Sequence, residues 1–243
     1  MCTLSIYSTP GQCIVTMNRD EVRSRDEAGL HAQTVAGVQF CYPLDGESNG
    51  TWLGINNYGL MLCLLNRYDA FAPETKKSRG LIIPESLKNG RFENIFDFLK
   101  MLDYRNFMPF DLFLISNNQK YHFQWNGSDY QHREVKAEPW FMYTSSSWQR
   151  EEVIAFRQEL FADWTAAMGS EPDKSADDIL KGFHLKQDEA MKSHSVLMER
   201  EKTHTKSIVQ VELRRKKAGF KYFPEILGRS DNKPLTLTMD VSS

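Results

Sequence analysis

The sequence predicts an α+β fold built on antiparallel sheets. Strand-like runs fall in three blocks, helix-period runs fall in two, and the two kinds do not alternate as a parallel βαβ chain would. The 243 residues include 30 Lys and Arg against 32 Asp and Glu, with 41% hydrophobic and 26% charged residues. A near-neutral chain of this composition argues against nucleic acid as a partner and suits one large core, so residues 1–243 are read as a single domain. No run approaches the ~18 apolar residues of a membrane span, and the longest, Leu60 to Leu65, is strand-sized. The N-terminal MCTLSIYSTPGQ has neither the basic head of a secretory signal nor an Arg-rich transit composition, which points to the cytoplasm.

Turn residues set the element boundaries. CTLSIYST (2–9) and QCIVTMNR (12–19) flank Pro10-Gly11, and QFCYPL, TWLGI and LMLCLLNRY follow. Asn56, Asn57 and Gly59 tolerate the left-handed backbone of a tight turn, so TWLGI and LMLCLLN are read as a hairpin. The period then changes. Ile95, Phe96, Phe98, Leu99 and Leu102 recur at helical spacing, and a shorter helix is expected over 80–87 around Pro84. Strands resume at DLFLISN (111–117), KYHFQW (120–125) and WFMYTSS (140–146). From Ser147 a helix is expected to bury Val153, Phe156, Leu160, Phe161, Trp164 and Met168, with Ser146 or Ser147 as its cap and Glu151 and Glu152 in its first turn. Ser175 reads as the cap of a short helix. KSIVQVEL (206–213) and AGFKYF (218–223) form a terminal hairpin around the basic turn Arg214 to Lys217.

Cys2 carries the strongest chemical signal. Removal of Met1, which a small second residue permits, leaves a thiol and a free α-amine on one residue. A thiol of pKa ~8.5 beside an amine of ~7.7–8.0 is an activated nucleophile near neutral pH. The other cysteines, Cys13, Cys41 and Cys63, form no C-x-x-C pair and read as buried free thiols. His194 and His204 lie ten residues apart without a carboxylate or thiol at ligand spacing, and read as solvated loop histidines. Gly46-Glu47-Ser48-Asn49-Gly50 spells a nucleophile elbow, but a strand follows it where that motif needs a helix, so it reads as a turn.

Several segments, in order, resemble the NRDE family, also called the transport and Golgi organization family. These are the Met-Cys start, Asn18-Arg19-Asp20-Glu21, Gly50-Thr51-Trp52-Leu53-Gly54-Ile55, Tyr58-Gly59-Leu60 and Leu65-Asn66-Arg67. That family is similar in turn to N-terminal nucleophile hydrolases of the choloylglycine hydrolase type. The resemblance implies a four-layer αββα sandwich of two mainly antiparallel sheets, and attack by Cys2 on a non-peptide amide or related acyl compound. It assigns Arg19 to the thiolate, Asp20 to the protonated amine, Asn66 to the oxyanion and Arg200 as a distal counterpart. The family's second oxyanion Asn would fall near Thr144-Ser145-Ser146, where only a hydroxyl such as Ser145 is available. Neighbours on a regular strand point to opposite faces, so Arg19 and Asp20 cannot both face Cys2 unless the strand bulges. A regular strand is expected to put Asn18 and Asp20 on the active face and Arg19 outside it.

No metal or organic cofactor is called for, and the expected partner is a small-molecule substrate or ligand. A homo-oligomer is left open. The alternative is a non-catalytic member that binds or carries an acyl, lipid or haem-type ligand, with Trp52, Tyr68, Phe71 and Trp140 lining an apolar pocket.

Overall fold

The computed structural model describes residues 1–69, 77–136, 138–169, 173–228 and 233–242. In chain order the elements are β1 (Cys2–Thr9), β2 (Gln12–Val22), β3 (Glu27–Val35), β4 (Val38–Asp45), β5 (Leu53–Asn56), β6 (Met61–Asn66), α1 (Ile82–Leu87) and α2 (Phe92–Lys100). They continue with β7 (Phe110–Ile115), β8 (Lys120–Trp125), β9 (Tyr130–Glu134), β10 (Trp140–Ser145), α3 (Arg150–Ala167), α4 (Ala176–Ile179), β11 (Thr203–Arg214), β12 (Lys217–Pro224) and β13 (Leu235–Asp240). The chain divides into two compact units, residues 1–25, 138–215 and 219–238 in the first, and 26–137, 216–218 and 239–243 in the second.

The first unit holds a six-stranded sheet in the order β10-β1-β2-β11-β12-β13. Gly11, at φ 95°, makes the turn between β1 and β2 that Pro10-Gly11 foretold. The β1–β2 pairing is regular over its whole length, from Thr9 opposite Gln12 to Cys2 opposite Arg19. The bulge lies on β11 instead, where pairing with β2 slips between Thr205 and Ser207. One face of this sheet carries α3, α4 and a π-helical turn at Leu180–His184. Thr3 and Asp20 reach Arg157 of α3 on this face, and Ser5 and Asn18 reach His184. Strand alternation places Cys2, Leu4, Ile6, Val15, Met17 and Arg19 on the opposite face, all of them buried.

Helix α3 starts at Arg150, three residues after the expected Ser147, with Glu151 and Glu152 in its first turn as expected, and its cap and buried face differ. Neither Ser146 nor Ser147 caps it. Gln149, with a left-handed φ of 39°, stands at the N-cap position, while the Ser146 hydroxyl donates to the Trp148 carbonyl at 2.6 Å. The residues α3 buries fully are Val153 and Arg157. Phe161 and Trp164 reach the edge of the core, against Trp140 and Phe183. Ser175 does cap α4, accepting the Asp177 amide at 3.2 Å.

The second unit holds a seven-stranded sheet in plain chain order, β3-β4-β5-β6-β7-β8-β9. Helices α1 and α2 cover one face, burying Ile82, Ile83, Leu87, Ile95 and Leu99 against Phe40, Leu62, Leu64, Leu112 and Phe123. The β5–β6 hairpin forms as expected. Gly59 takes φ 70°, and the Asn56 carbonyl oxygen of the side chain accepts the Tyr58 and Leu60 amides. The Gly46–Gly50 segment is a turn: Asp45 Oδ1 accepts the Glu47 and Ser48 amides and the Ser48 hydroxyl, and β5 follows. No helix among the described residues is long and apolar enough to cross a membrane.

Candidate active site

Cys2 opens β1 as an interior strand, with β10 on one side and β2 on the other. Directly opposite residues on paired strands share a face. Cys2 therefore lies on one rung with Ser145 of β10 and Arg19 of β2, and the bulge brings Ser207 of β11 opposite Arg19 to extend the rung. Below this polar rung the same face is hydrocarbon, from Leu4 and Met17 to Val209. The Ser145 hydroxyl is buried and makes no hydrogen bond among the described residues. The Arg19 guanidinium donates to Glu21 Oε2 at 3.4 Å.

The reverse face of the same strands carries a buried polar network. Arg157 is fully enclosed. Its Nη1 donates to Thr3 Oγ1 at 2.6 Å and Thr144 Oγ1 at 3.2 Å, its Nη2 to Asp20 Oδ2 at 3.1 Å and the Ser195 carbonyl at 2.8 Å, and its Nε to the His194 carbonyl at 3.0 Å. Asp20 Oδ1 accepts the Thr205 hydroxyl at 2.7 Å. Deeper along the face, His184 bridges Ser5 Oγ and Asn18 Oδ1, each at 2.6 Å, and Asn18 Nδ2 donates to the His184 and Val196 carbonyls. Burial pushes the His184 pKa down to about 3, so this imidazole is neutral at physiological pH.

Met1 continues β1 by main-chain bonds. Its ammonium donates to the Asp20 carbonyl at 2.9 Å, and the Asp20 amide donates to the Met1 carbonyl at 2.8 Å. Its sulfur lies 3.1 Å from Ser146 Oγ and accepts from Arg200 Nη1 at 3.3 Å. The Arg200 guanidinium also donates to the Ser193 carbonyl and lies 4.4 Å from the Trp148 ring centroid. Burial raises the Cys2 thiol above its ordinary pKa. The terminal ammonium and Arg19 oppose that rise, while Asp20 and Glu21 add to it.

Several expectations change on this geometry. Because β2 stays regular, Asn18 and Asp20 do share a face, but it is the one turned away from the Cys2 side chain, and Arg19 is the residue beside Cys2. The Asp20 carboxylate is taken by Arg157 and Thr205, so the terminal amine meets the Asp20 main-chain oxygen instead. Asn66 ends β6 in the second unit, half-buried, with its amide 3.4 Å from the Tyr68 hydroxyl. His194 and His204 are buried, not solvated. His194 packs on Trp148 and Phe156, and His204 sits in β11 with Nδ1 3.2 Å from Arg23 Nη1. Of the aromatics assigned to a pocket, Trp140 packs with Tyr7 and Trp164 on the helix-bearing face, Tyr68 is largely exposed, Trp52 is buried, and Phe71 lies outside the described residues. Arg157 escaped the sequence reading altogether. The available signal was its place four residues after Val153, on the buried stripe of the helix.

Residues 1–222 match the Transport and Golgi organisation 2 (TANGO2) family. The chain belongs to that family. No curated protein matches it in sequence. Among solved structures this TANGO2-family chain is similar to penicillin V acylase from Agrobacterium tumefaciens, with a TM-score of 0.60 at 10% identity, covering 99% of this chain and 86% of that one. It is similar to a Caenorhabditis elegans ortholog of N-acylethanolamine-hydrolyzing acid amidase, with a TM-score of 0.58 at 12% identity over 99% and 100%. A mutant of the conjugated bile acid hydrolase from Clostridium perfringens gives a TM-score of 0.57 at 11% identity over 98% and 92%. These likenesses establish the N-terminal nucleophile hydrolase sandwich as the fold, in agreement with the α+β class and the family resemblance read from the sequence.

Proposed function

We propose that this family member is an N-terminal cysteine hydrolase that cleaves a non-peptide amide or related acyl compound after loss of Met1. The rung Ser145–Cys2–Arg19 carries the reading: a thiol at the start of an interior strand, an arginine opposite it on one side, and on the other a buried hydroxyl with no hydrogen bond among the described residues. The Cys2 α-amine takes the thiol proton, Sγ attacks the acyl carbon, and the C–N bond breaks as the ammonium returns that proton to the departing nitrogen. Water then attacks the thioester and gives one proton to the amine, and the thiolate leaves and takes that proton back from the ammonium. Amide and water thus become acid and amine. Arg19 favours the thiolate, and the Ser145 hydroxyl donates to the developing oxyanion.

The test is intact mass and peptide mapping, before and after limiting iodoacetamide, on untagged protein. Loss of Met1 together with alkylation of Cys2 near pH 7, far ahead of Cys13, Cys41 and Cys63, supports the hydrolase. A retained Met1 or an inert Cys2 defeats it. The second reading is a binder or carrier of an acyl, lipid or haem-type ligand. It is favoured by the burial that raises the Cys2 thiol and by the lack of an Asn at 144–146.

A further inference from the structure

We infer that Arg157 is the positioning residue of the Cys2 rung, holding from behind the sheet the three strands that carry Ser145, Cys2 and Arg19. The inference rests on the reading of Cys2 as the nucleophile.

Each side-chain partner of Arg157 is the immediate chain neighbour of one rung residue. Thr3 follows Cys2, Thr144 precedes Ser145, and Asp20 follows Arg19. One planar guanidinium therefore ties β10, β1 and β2 together one residue away from the rung, on the opposite face. The remaining donors go to the main-chain oxygens of His194 and Ser195, which fix the guanidinium itself. A rigid fork of five N–H groups suits this task, and a flexible ammonium with three does not. The chain has many ways to fill a buried site with hydrocarbon, which packs without direction. A charged group that meets all three strands at bonding distance instead fixes their spacing and stagger. Arg157 also sets the charge behind the thiol, since the Asp20 carboxylate that it neutralises is one of the groups acting on Cys2, with the terminal ammonium, Arg19 and Glu21.

The experiment is the pH dependence of Cys2 alkylation by iodoacetamide, read by mass on the full chain lacking Met1, for wild type, Arg157→Lys and Thr3→Val. Thermal unfolding is followed in parallel. Lysine keeps a cation near Asp20 but cannot span the five partners, and valine removes one acceptor at nearly constant volume. The expected result for Arg157→Lys is a midpoint raised by about one pH unit, hence roughly tenfold slower alkylation at a fixed lower pH. Thr3→Val shifts in the same direction by less, and decides the matter if Arg157→Lys does not fold. Variants that lose thermal stability yet keep the wild-type rate and midpoint overturn the positioning role and leave the hydrolase reading intact. An inert wild-type Cys2 overturns both.

Discussion

Under α1 and α2 the seven-stranded sheet presents Phe40, Leu62, Leu64, Leu112 and Phe123, while the six-stranded sheet presents Thr3, Asp20 and Thr144 to a descending arginine of α3 and Asn18 to His184. Both faces are buried to a similar degree, so the contrast is one of chemistry. The hydrocarbon face gains from area and shape, and tolerates small displacements. The polar face gains little net stability, because a buried ion pair recovers in Coulomb and hydrogen-bond energy roughly what its desolvation costs. What directional bonds supply is a fixed arrangement, and the strands so fixed are those that carry Cys2. The fold thus sets a helix-covered face packed by hydrocarbon alone against one that adds a buried polar network to its own apolar clusters.

Substitutions in both units and a shift of pH break or sharpen that contrast, from the largest effect to the smallest. Cys2→Ala abolishes turnover of any amide found by library screening and leaves the melting temperature near wild type. Full activity in that variant would sink the mechanism. Arg157→Met removes one partner of the enclosed Asp20 pair and costs about 3–5 kcal/mol in denaturant unfolding, whereas Leu112→Ala in the hydrocarbon unit costs about 2–5. The two are separated by Cys2 alkylation, which slows in Arg157→Met and is unchanged in Leu112→Ala.

Mild acid makes the smallest demand, about 2 kcal/mol by pH 5. The folded chain holds His184 unprotonated until about pH 3, whereas the unfolded chain protonates this side chain near pH 6.5. Protons therefore favour the unfolded state below pH 6.5. The first unit loses up to about 1.4 kcal/mol per pH unit from this group between pH 6.5 and pH 3, and nothing above pH 6.5. Chemical denaturation of wild type and His184→Gln at pH 7 and pH 5 checks the sign, since the variant should show the weaker pH dependence.

The legible parts of the fold were those where burial wrote a pattern. β1, β2, β7, β8, β11 and β12 are apolar runs bounded by turn residues, and all appear close to where the sequence put them. β3, β9 and β13 were not anticipated. Their side chains are largely exposed; EAGLHAQTV and YQHRE offer few large apolar residues, and pairing with a neighbour decides their conformation, whereas LTLTMD alternates cleanly and carried a strand signal over a single short run. At the site, motif and strand parity brought Cys2, Arg19 and Asp20 to attention, but parity alone could not say which face held the thiol. Arg157 stayed hidden because an arginine on an amphipathic helix ordinarily marks the wet side. Here it marks the dry one.

The slip on β11 has a bearing on how this strand reads as a string of letters. On the Thr205 side the strand is in step with Asp20, and on the Ser207 side with Arg19, so Lys206 is a supernumerary letter between two in-phase words. It turns aside, and its Nζ reaches Glu225 and the Arg23 carbonyl. Were it counted as an ordinary strand residue, a second cation would stand opposite Arg19, and Ile208, Val209 and Val211 would each exchange faces. The strand's grammar therefore treats length and identity differently at this point. Dropping residue 206 preserves the phase of everything that follows, whereas dropping a later residue with the bulge kept inverts the strand from that residue to its end.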